Sequence, residues 1–519
     1  MDTESTNDAA KTDGESAYSQ VVSGTTIIFI GKVLGLTLGF FARSVPARLL
    51  GPDKYGSLTL GWTVVSVVTF ISALGLKDGI TRYIPRCDTN EDRKSILLTA
   101  VSSALPWSIL LTMTVVFFSE YISITIFSGS VSPGLISLFA LLIPVVTINN
   151  LIVSYFRGLK NARLNVFVTN VFNPGFRVIL VTGSILAGYS VFGAAVGWVV
   201  ASVLTLLSAI YFLCKRTPIL HVDSNGTRFA ELLKFSMPLM LASSMGIVLG
   251  FGDNLLIGFY LDSAAIGRYD PAFLLSSMVT TGLTVFSYMF LPTFSELHGK
   301  GEYEEMDNLY GVVTKWIVSL TLPVYLVFAA FPASVLEIFF GDAYTSAAPV
   351  LVILATGSLI NAAVGLCVQG LVATGSTRFI MYTNSFAAIS NVVLNILLIP
   401  QFGIIGAALA SATTTAGYNL LYAYRVYQEM NIAPVPRAVF LPSLIPVGGA
   451  ILLRRVPPHN RQTLIFLILA AVLFIVLYLS GYLLFGAAEK EDIGLVETLE
   501  NQIGVDLSLI KQVLKYRIG

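Results

Sequence analysis

The sequence predicts an all-α polytopic membrane protein of about fourteen transmembrane helices. Two pseudo-symmetric six-helix lobes, a parallel repeat, are expected to flank a central cleft, with two C-terminal helices appended. Three observations predict this class. Of 519 residues, 55% are hydrophobic and only 12% charged, about half the charged share of roughly 25% usual in soluble domains. The apolar residues form long runs, near the ~20 residues a spanning helix needs, separated by Gly, Pro and charge clusters. The pattern also repeats along the chain.

The first twenty residues are polar, acidic and poor in aliphatics, unlike a basic-then-apolar leader, and read as a disordered cytoplasmic tail. Six spans follow, near 21–42, 56–76, 95–118, 133–156, 164–187 and 191–213, and make an N-lobe over 21–213. A cytoplasmic linker covers 214–234. The C-lobe, 235–427, holds spans near 235–258, 268–292, 311–331, 348–373, 378–399 and 404–427. Two more lie near 438–453 and 463–485, within 438–485. The first of these is short and carries Pro442 and Pro446, which neighbouring helices can accommodate; twelve spans is the fallback count. In the tail 486–519, Val496, Leu499, Ile503, Leu507, Ile510 and Leu514 recur at helical spacing beside Lys511, Lys515 and Arg517. This suits an amphipathic helix on the inner membrane surface, or one docking a partner.

A net charge of +1 gives no reason to expect nucleic acid. Most of the 31 Lys and Arg residues fall in the alternate loops that share a side with both termini. By the positive-inside rule both termini are cytoplasmic, in a multi-pass protein of the cell membrane. Arg454, Arg455 and Arg461, in an outer loop, are the local exception. Three scattered cysteines and three loop histidines support neither a disulfide framework nor a metal cluster, and no cofactor is implied.

Leu50-Gly-Pro-Asp-Lys-Tyr-Gly56 is echoed 211 residues later by Leu261-Asp-Ser-Ala-Ala-Ile-Gly267. Gly158-Leu159 is echoed 212 later at Gly370-Leu371, and Gly193-Ala-Ala195 213 later at Gly406-Ala-Ala408. Each anchor falls at one place in a six-helix unit. Six is even, so both units start on the same side of the membrane, as in a parallel repeat with a cargo cleft between lobes.

Charged groups in mid-span are costly, about 2.5–3.5 kcal/mol on insertion scales, and point to function. Lys32 and Arg177 lie midway along spans one and five. Lys32, Gly39 and Arg43 share one helical stripe, as do Asn170, Asn173 and Arg177. At an offset of 214, Asn384 matches Asn170 and Asn391 matches Arg177, with Asn395 continuing the stripe. These groups are candidates for a polar face turned to the cleft, or for hydrogen bonds between helices. A cationic cleft suits phosphate or pyrophosphate. Lys315, one turn inside span nine, is expected to snorkel to the interface or to face the cavity. Asp253 is read as the only carboxylate clearly within a span; it could bind a coupling cation or proton, or pair with Arg268. Gly31-x-x-x-Gly35-x-x-x-Gly39 reads as a close-packing face, and the charged run Arg82–Lys94 as a solvated loop.

The segment from Leu50-Gly-Pro-Asp-Lys-Tyr-Gly56 through Ala73-Leu-Gly-Leu76 to Arg82-Tyr-Ile-Pro-Arg86, then Arg157-Gly-Leu159 and Gly193-Ala-Ala195, resembles the polysaccharide-biosynthesis membrane proteins. These are lipid-linked oligosaccharide flippases of the multidrug/oligosaccharidyl-lipid/polysaccharide (MOP) exporter superfamily, and the resemblance covers roughly 20–485. It implies two lobes alternating between inward-open and outward-open states while a polyprenyl-linked glycan headgroup crosses between them. It also implies cavity cations that hold the cargo phosphate, for which Lys32 and Arg177 are the candidates. The implied partners are a lipid-linked glycan, membrane lipid and glycan polymerase or glycosyltransferase machinery. The rival readings are a cation-coupled multidrug exporter, a membrane glycosyltransferase or ligase, and a structural scaffold. Mid-span cations outnumber acids, which disfavours the exporter. The short outer loops hold no nucleophile–base pair, which disfavours the enzyme.

Overall fold

Every span expected from the second onward coincides with a helix or a broken helix. The computed structural model describes residues 31–217, 229–435, 437–455 and 463–485, save a few side chains, with isolated positions after 499. The tails expected at 1–20 and 486–519, and 218–228 of the linker, lie outside the described residues apart from those positions.

In chain order the principal helices are α1 (Gly31–Ser72), α2 (Leu76–Tyr83), α3 (Asn90–Phe117), α4 (Pro133–Ala140), α5 (Leu142–Gly158), α6 (Asn173–Leu186) and α7 (Val191–Arg216). Then come α8 (Phe229–Tyr260), α9 (Ser263–Met278), α10 (Thr281–Lys300), α11 (Tyr303–Ala330), α12 (Ala348–Val364) and α13 (Leu366–Ala373). The last four are α14 (Thr377–Phe402), α15 (Ile404–Met430), α16 (Arg437–Leu453) and α17 (Leu464–Leu484). No strand occurs among the described residues. Nine helical segments among them are long and apolar enough to cross a membrane, and Val439–Leu453 is a shorter apolar helix.

Local chemistry sets the ends. Thr89, Ser132, Asp262 and Thr463 each accept a backbone N–H at a helix start, a cap worth about 1 kcal/mol. Gly51 interrupts α1 with φ 75° and ψ 171°, a conformation that glycine alone adopts cheaply. Several expected single spans are in fact broken. The one at 268–292 is α9 plus α10, because the N–H groups of Val279 and Thr280 turn back to the carbonyls of Ser276 and Ser277, tightening the last turn. The one at 164–187 contains a π-helical stretch, Phe167–Phe172. The charged run expected as a loop is partly helical, as α2.

The chain forms two units, residues 1–50 with 61–243, and residues 51–60 with 244–519. In the first, α5 packs on α2, α3 and α7, and α6 on α7, around Leu76, Ile80, Ile84, Leu97 and Phe156. In the second, α12 packs on α11 and α15, and α14 on α15. Its core includes Phe294, Tyr310, Ile317, Cys367 and Leu371. The neighbours within each unit thus match helix for helix: third with fourth, fourth with sixth, fifth with sixth. The appended α16 and α17 pack on each other and on α11. α17 buries Ala470, Phe474, Tyr478 and Gly481 and exposes Ile465, Ile468, Leu469, Val472 and Val476, the aliphatic face a lipid-contacting helix requires. Arg454, from the cluster that breaks the expected charge rule, donates to the carbonyl of Ala329. It neutralises the negative end of α11.

Candidate functional site

In the first unit, α1 lies against the chain that leads into α6. A Cβ on Gly35 would sit 2.5 Å from the Cβ of Asn170, and one on Gly31 would meet Val166, whereas Gly39 has nothing within 4 Å. The expected packing face is therefore two glycines long, and Asn170 is its counterpart. Lys32 is exposed, while Arg43, Asn170, Asn173 and Arg177 are half-buried. The π-helical stretch Phe167–Phe172 contains Asn170 and ends just before Asn173, so Asn170 is offset from the α-helical stripe that Asn173 and Arg177 share. A π turn takes an extra residue and rotates the rest of the helix beyond it.

Arg177 is fixed by aromatic rings. Its guanidinium carbon lies 3.6 Å from the ring centroid of Trp198 and 5.2 Å from that of Trp62. The two indoles are 5.2 Å apart and tilted by 33°, and Phe139 meets Trp198 edge-on at 5.6 Å. Cation–π contacts of this kind are worth about 0.5–2 kcal/mol each. They engage the face of the guanidinium, whose edges carry its N–H donors. Spacing could not show the clamp, because Trp62, Arg177 and Trp198 lie on three different helices.

The second unit holds a polar cluster around Asp253, which is 5% exposed. Tyr269 and Ser411 each donate to Oδ2 at 2.5 Å. Asn395 donates to Oδ1 at 2.8 Å and to the carbonyl of Asn391 at 2.9 Å, and Asn391 donates to Ser411 at 3.1 Å. α8, α9, α14 and α15 each supply a member. Asn391 and Asn395, 1% and 0% exposed, are spent inside this unit, as is Asn384, which accepts from Tyr422 at 2.7 Å. The polar stripe of α14 is thus used between helices. Hydroxyl and amide groups, with no Arg268 among them, surround the Asp253 carboxylate. Asn395 Oδ1, buried beside it, has no donor. Beside this cluster lies a cavity of about 180 Å³ bordered by Asn391 and Ser411.

Two expectations need correction. Lys315 does not snorkel. It is 2% exposed, with its ammonium 5.2 Å from the ring centroid of Tyr482, because α17 packs over α11 and covers it. Asp253 is also not the sole carboxylate within a span. Asp270, in α9, is 7% exposed and accepts from Tyr55 at 2.7 Å. The Tyr55 segment also carries Asp53, which accepts from Ser263 at 2.5 Å. Within 51–60 and 261–267 the repeat anchors meet: a Cβ on Gly56 would strike the carbonyl of Ser263, and one on Gly267 that of Pro52. Among the described residues no group of three His, Cys, Asp or Glu side chains could hold a metal ion.

This architecture has known counterparts. The chain resembles the solved structure of the lipid II flippase MurJ, inward closed conformation, with a TM-score of 0.71 at 15% identity, over 87% of this chain and 98% of that one. It also resembles an inward-facing multidrug resistance MATE family transporter of the MOP superfamily, with a TM-score of 0.60 at 16% identity, over 79% and 98%. At such identities these likenesses show the fold. Among curated relatives, the probable low-salt glycan biosynthesis flippase Agl15 of Haloferax volcanii is 22% identical, over 78% of this chain and 83% of that protein. Stage V sporulation protein B of Bacillus subtilis is 22% identical, over 80% and 85%. The family model described as "Polysaccharide biosynthesis protein" matches residues 45–349. With more than half its length matched, the chain belongs to the polysaccharide biosynthesis protein family.

Proposed function

We propose that this protein is a flippase. It carries a polyprenyl-(pyro)phosphate-linked oligosaccharide from the cytoplasmic to the outer face of the cell membrane by alternating access, with both termini cytoplasmic. It is a transporter rather than an enzyme, working beside the glycosyltransferases or polymerases that make and use its cargo. Family membership, with a relative named as a glycan-biosynthesis flippase, supports the cargo class. The geometric observation that carries the reading is Arg177, a mid-span cation whose planar face is held by Trp198 and Trp62. Its N–H edges suit the phosphate linkage of the cargo bidentately, with Lys32 and Arg43 as further cations for the same anion. The half-buried Asn170 and Asn173 serve the sugar hydroxyls, while Asn384 and Asn391 shape the second unit from within. A glycan headgroup loses its hydrogen bonds to water in hydrocarbon, and a polar path through the protein replaces them.

Asp253 supplies the coupling. A single buried carboxylate among neutral oxygens, one of them the unpartnered Asn395 Oδ1, suits one monovalent cation: the charges balance one to one, and hard cations prefer oxygen ligands. Differential binding of that cation in the two states would drive the cycle.

The test is the sidedness of lipid-linked glycan, read with an impermeant probe of the outer face. Cells lacking the protein are compared with cells carrying wild type, Lys32→Ala or Arg177→Ala. Inward accumulation without the protein, unrescued by Arg177→Ala at normal expression, is expected. Unchanged sidedness with lowered tolerance of cationic drugs would favour an exporter, a reading the MATE-like fold also admits.

A further inference from the structure

The cavity beside Asp253 is not explained by packing. Its volume, about 180 Å³, leaves room for several waters. It is lined by Ser276, Ser358, Asn391, Ser411 and Thr414 among others. Thr414 is 7% exposed, and its hydroxyl oxygen has no hydrogen-bond partner. A buried hydroxyl left without a partner costs about 1–3 kcal/mol unless water or a ligand satisfies it, so the cavity is a wet one. Two of its lining residues, Asn391 and Ser411, are also the wall of the carboxylate cluster: Asn391 donates to Ser411, and Ser411 to Asp253.

The position is directional. Leu249, another lining residue, stands one turn before Asp253 in α8. Thr414 stands one turn after Ser411 in α15, and Ser276 two turns after Tyr269 in α9. Since α9 runs back from the end of α8 across the two-residue link Leu261–Asp262, the steps along α8 and α9 lead to the end of the unit where α8 begins, and Thr414 borders the same cavity.

We propose that this cavity is the hydration vestibule of the coupling-cation site. A monovalent cation leaving Asp253 toward the end where α8 begins regains its water shell there, with Ser411 and Asn391 as the inner gate and the Thr414 hydroxyl as the first oxygen beyond it. The proposal rests on the coupling reading of Asp253, and adds a route and a gate to it. Ser411 must rotate away from the carboxylate for the cation to pass, and Asn391, already bonded to it, takes up that hydroxyl.

The test uses purified full-length protein and radioactive sodium ion as the probe, measuring both equilibrium binding and the rate of exchange. Ser358→Leu, which fills the vestibule from α12, should slow exchange by about tenfold or more, because the ion then sheds water without replacement, while affinity changes far less. Thr414→Val should slow it by about two- to tenfold. Asp253→Asn should abolish binding. Should Ser358→Leu fail to fold, Ser358→Cys in a cysteine-free background replaces it: a small water-soluble methanethiosulfonate should label it, and labelling should slow exchange. Wild-type binding that Asp253→Asn abolishes, with exchange untouched by filling or labelling, would overturn the vestibule and leave the coupling site standing. Absence of any Asp253-dependent sodium binding would overturn both.

Discussion

Gly56 and Gly267 occupy equivalent places in the two sequence repeats, and each is closed upon by the backbone of the other's segment. A side chain at Gly56 would meet the carbonyl of Ser263, and one at Gly267 the carbonyl of Pro52. The contact is reciprocal, so the same substitution at either place should do the same damage. Gly56→Ala and Gly267→Ala should each destabilise by about 1–3 kcal/mol through overpacking, read as earlier thermal aggregation of detergent-solubilised protein. A neutral result at either position would mean the two segments separate readily.

Removing one hydroxyl should matter nearly as much. Tyr55→Phe leaves the buried carboxylate of Asp270 without its donor, at a cost of about 1–3 kcal/mol. The double variant Tyr55→Phe, Asp270→Asn should cost less than the two changes summed, the sign of a direct pair. Thermal unfolding of the four proteins gives the answer.

The aromatic clamp makes a prediction about shape rather than charge. Trp198→Phe keeps a ring face under Arg177 and should retain most flipping; Trp198→Leu should lose about 0.5–2 kcal/mol of the clamp, roughly two- to thirtyfold in rate. Arg177→Lys should fail although the charge is kept, because a point charge neither stacks as a plane nor binds phosphate in a fork. Equal activity of Lys and Arg at this position, by the sidedness assay, would sink the clamp.

Lys315 should behave as a packing residue. Lys315→Met keeps its length and should leave cargo sidedness unchanged, whereas Tyr482→Ala should destabilise by uncovering it, by about 3–5 kcal/mol as for other large buried aromatics. Loss of flipping in a stably folded Lys315→Met protein would return this residue to the transport path.

The fold is largely legible in the sequence, because the membrane imposes one strong rule, about twenty apolar residues per helix. Segment lengths, the repeat offset and the glycine stripe of α1 follow from the residues alone. The site is less legible. Asn170 and Arg177 obey an α-helical spacing on paper, but one π turn between them breaks it. Asn391 and Asn395 are visible as polar positions, yet which helix they face depends on α8 and α15 arriving from distant parts of the chain. The burial of Lys315 is hidden because its cover comes from α17, some 160 residues on. Asp270 escapes notice because it sits near the start of a span, where water is the ordinary neighbour. In each case periodicity gives the face of a helix but not its neighbour.

Residues 51–60 belong with 244–519, although their own helix begins and ends in the other unit. This bears on how the molecule can be made. A fragment starting at α8 would lack Tyr55 and Asp53, leaving Asp270 and Ser263 without the partners they have in the intact chain. The duplicated sequence therefore does not mark two autonomous folding units. The later half needs a strap synthesised some two hundred residues earlier, so during biosynthesis that strap must wait, unpaired, until its acceptor emerges.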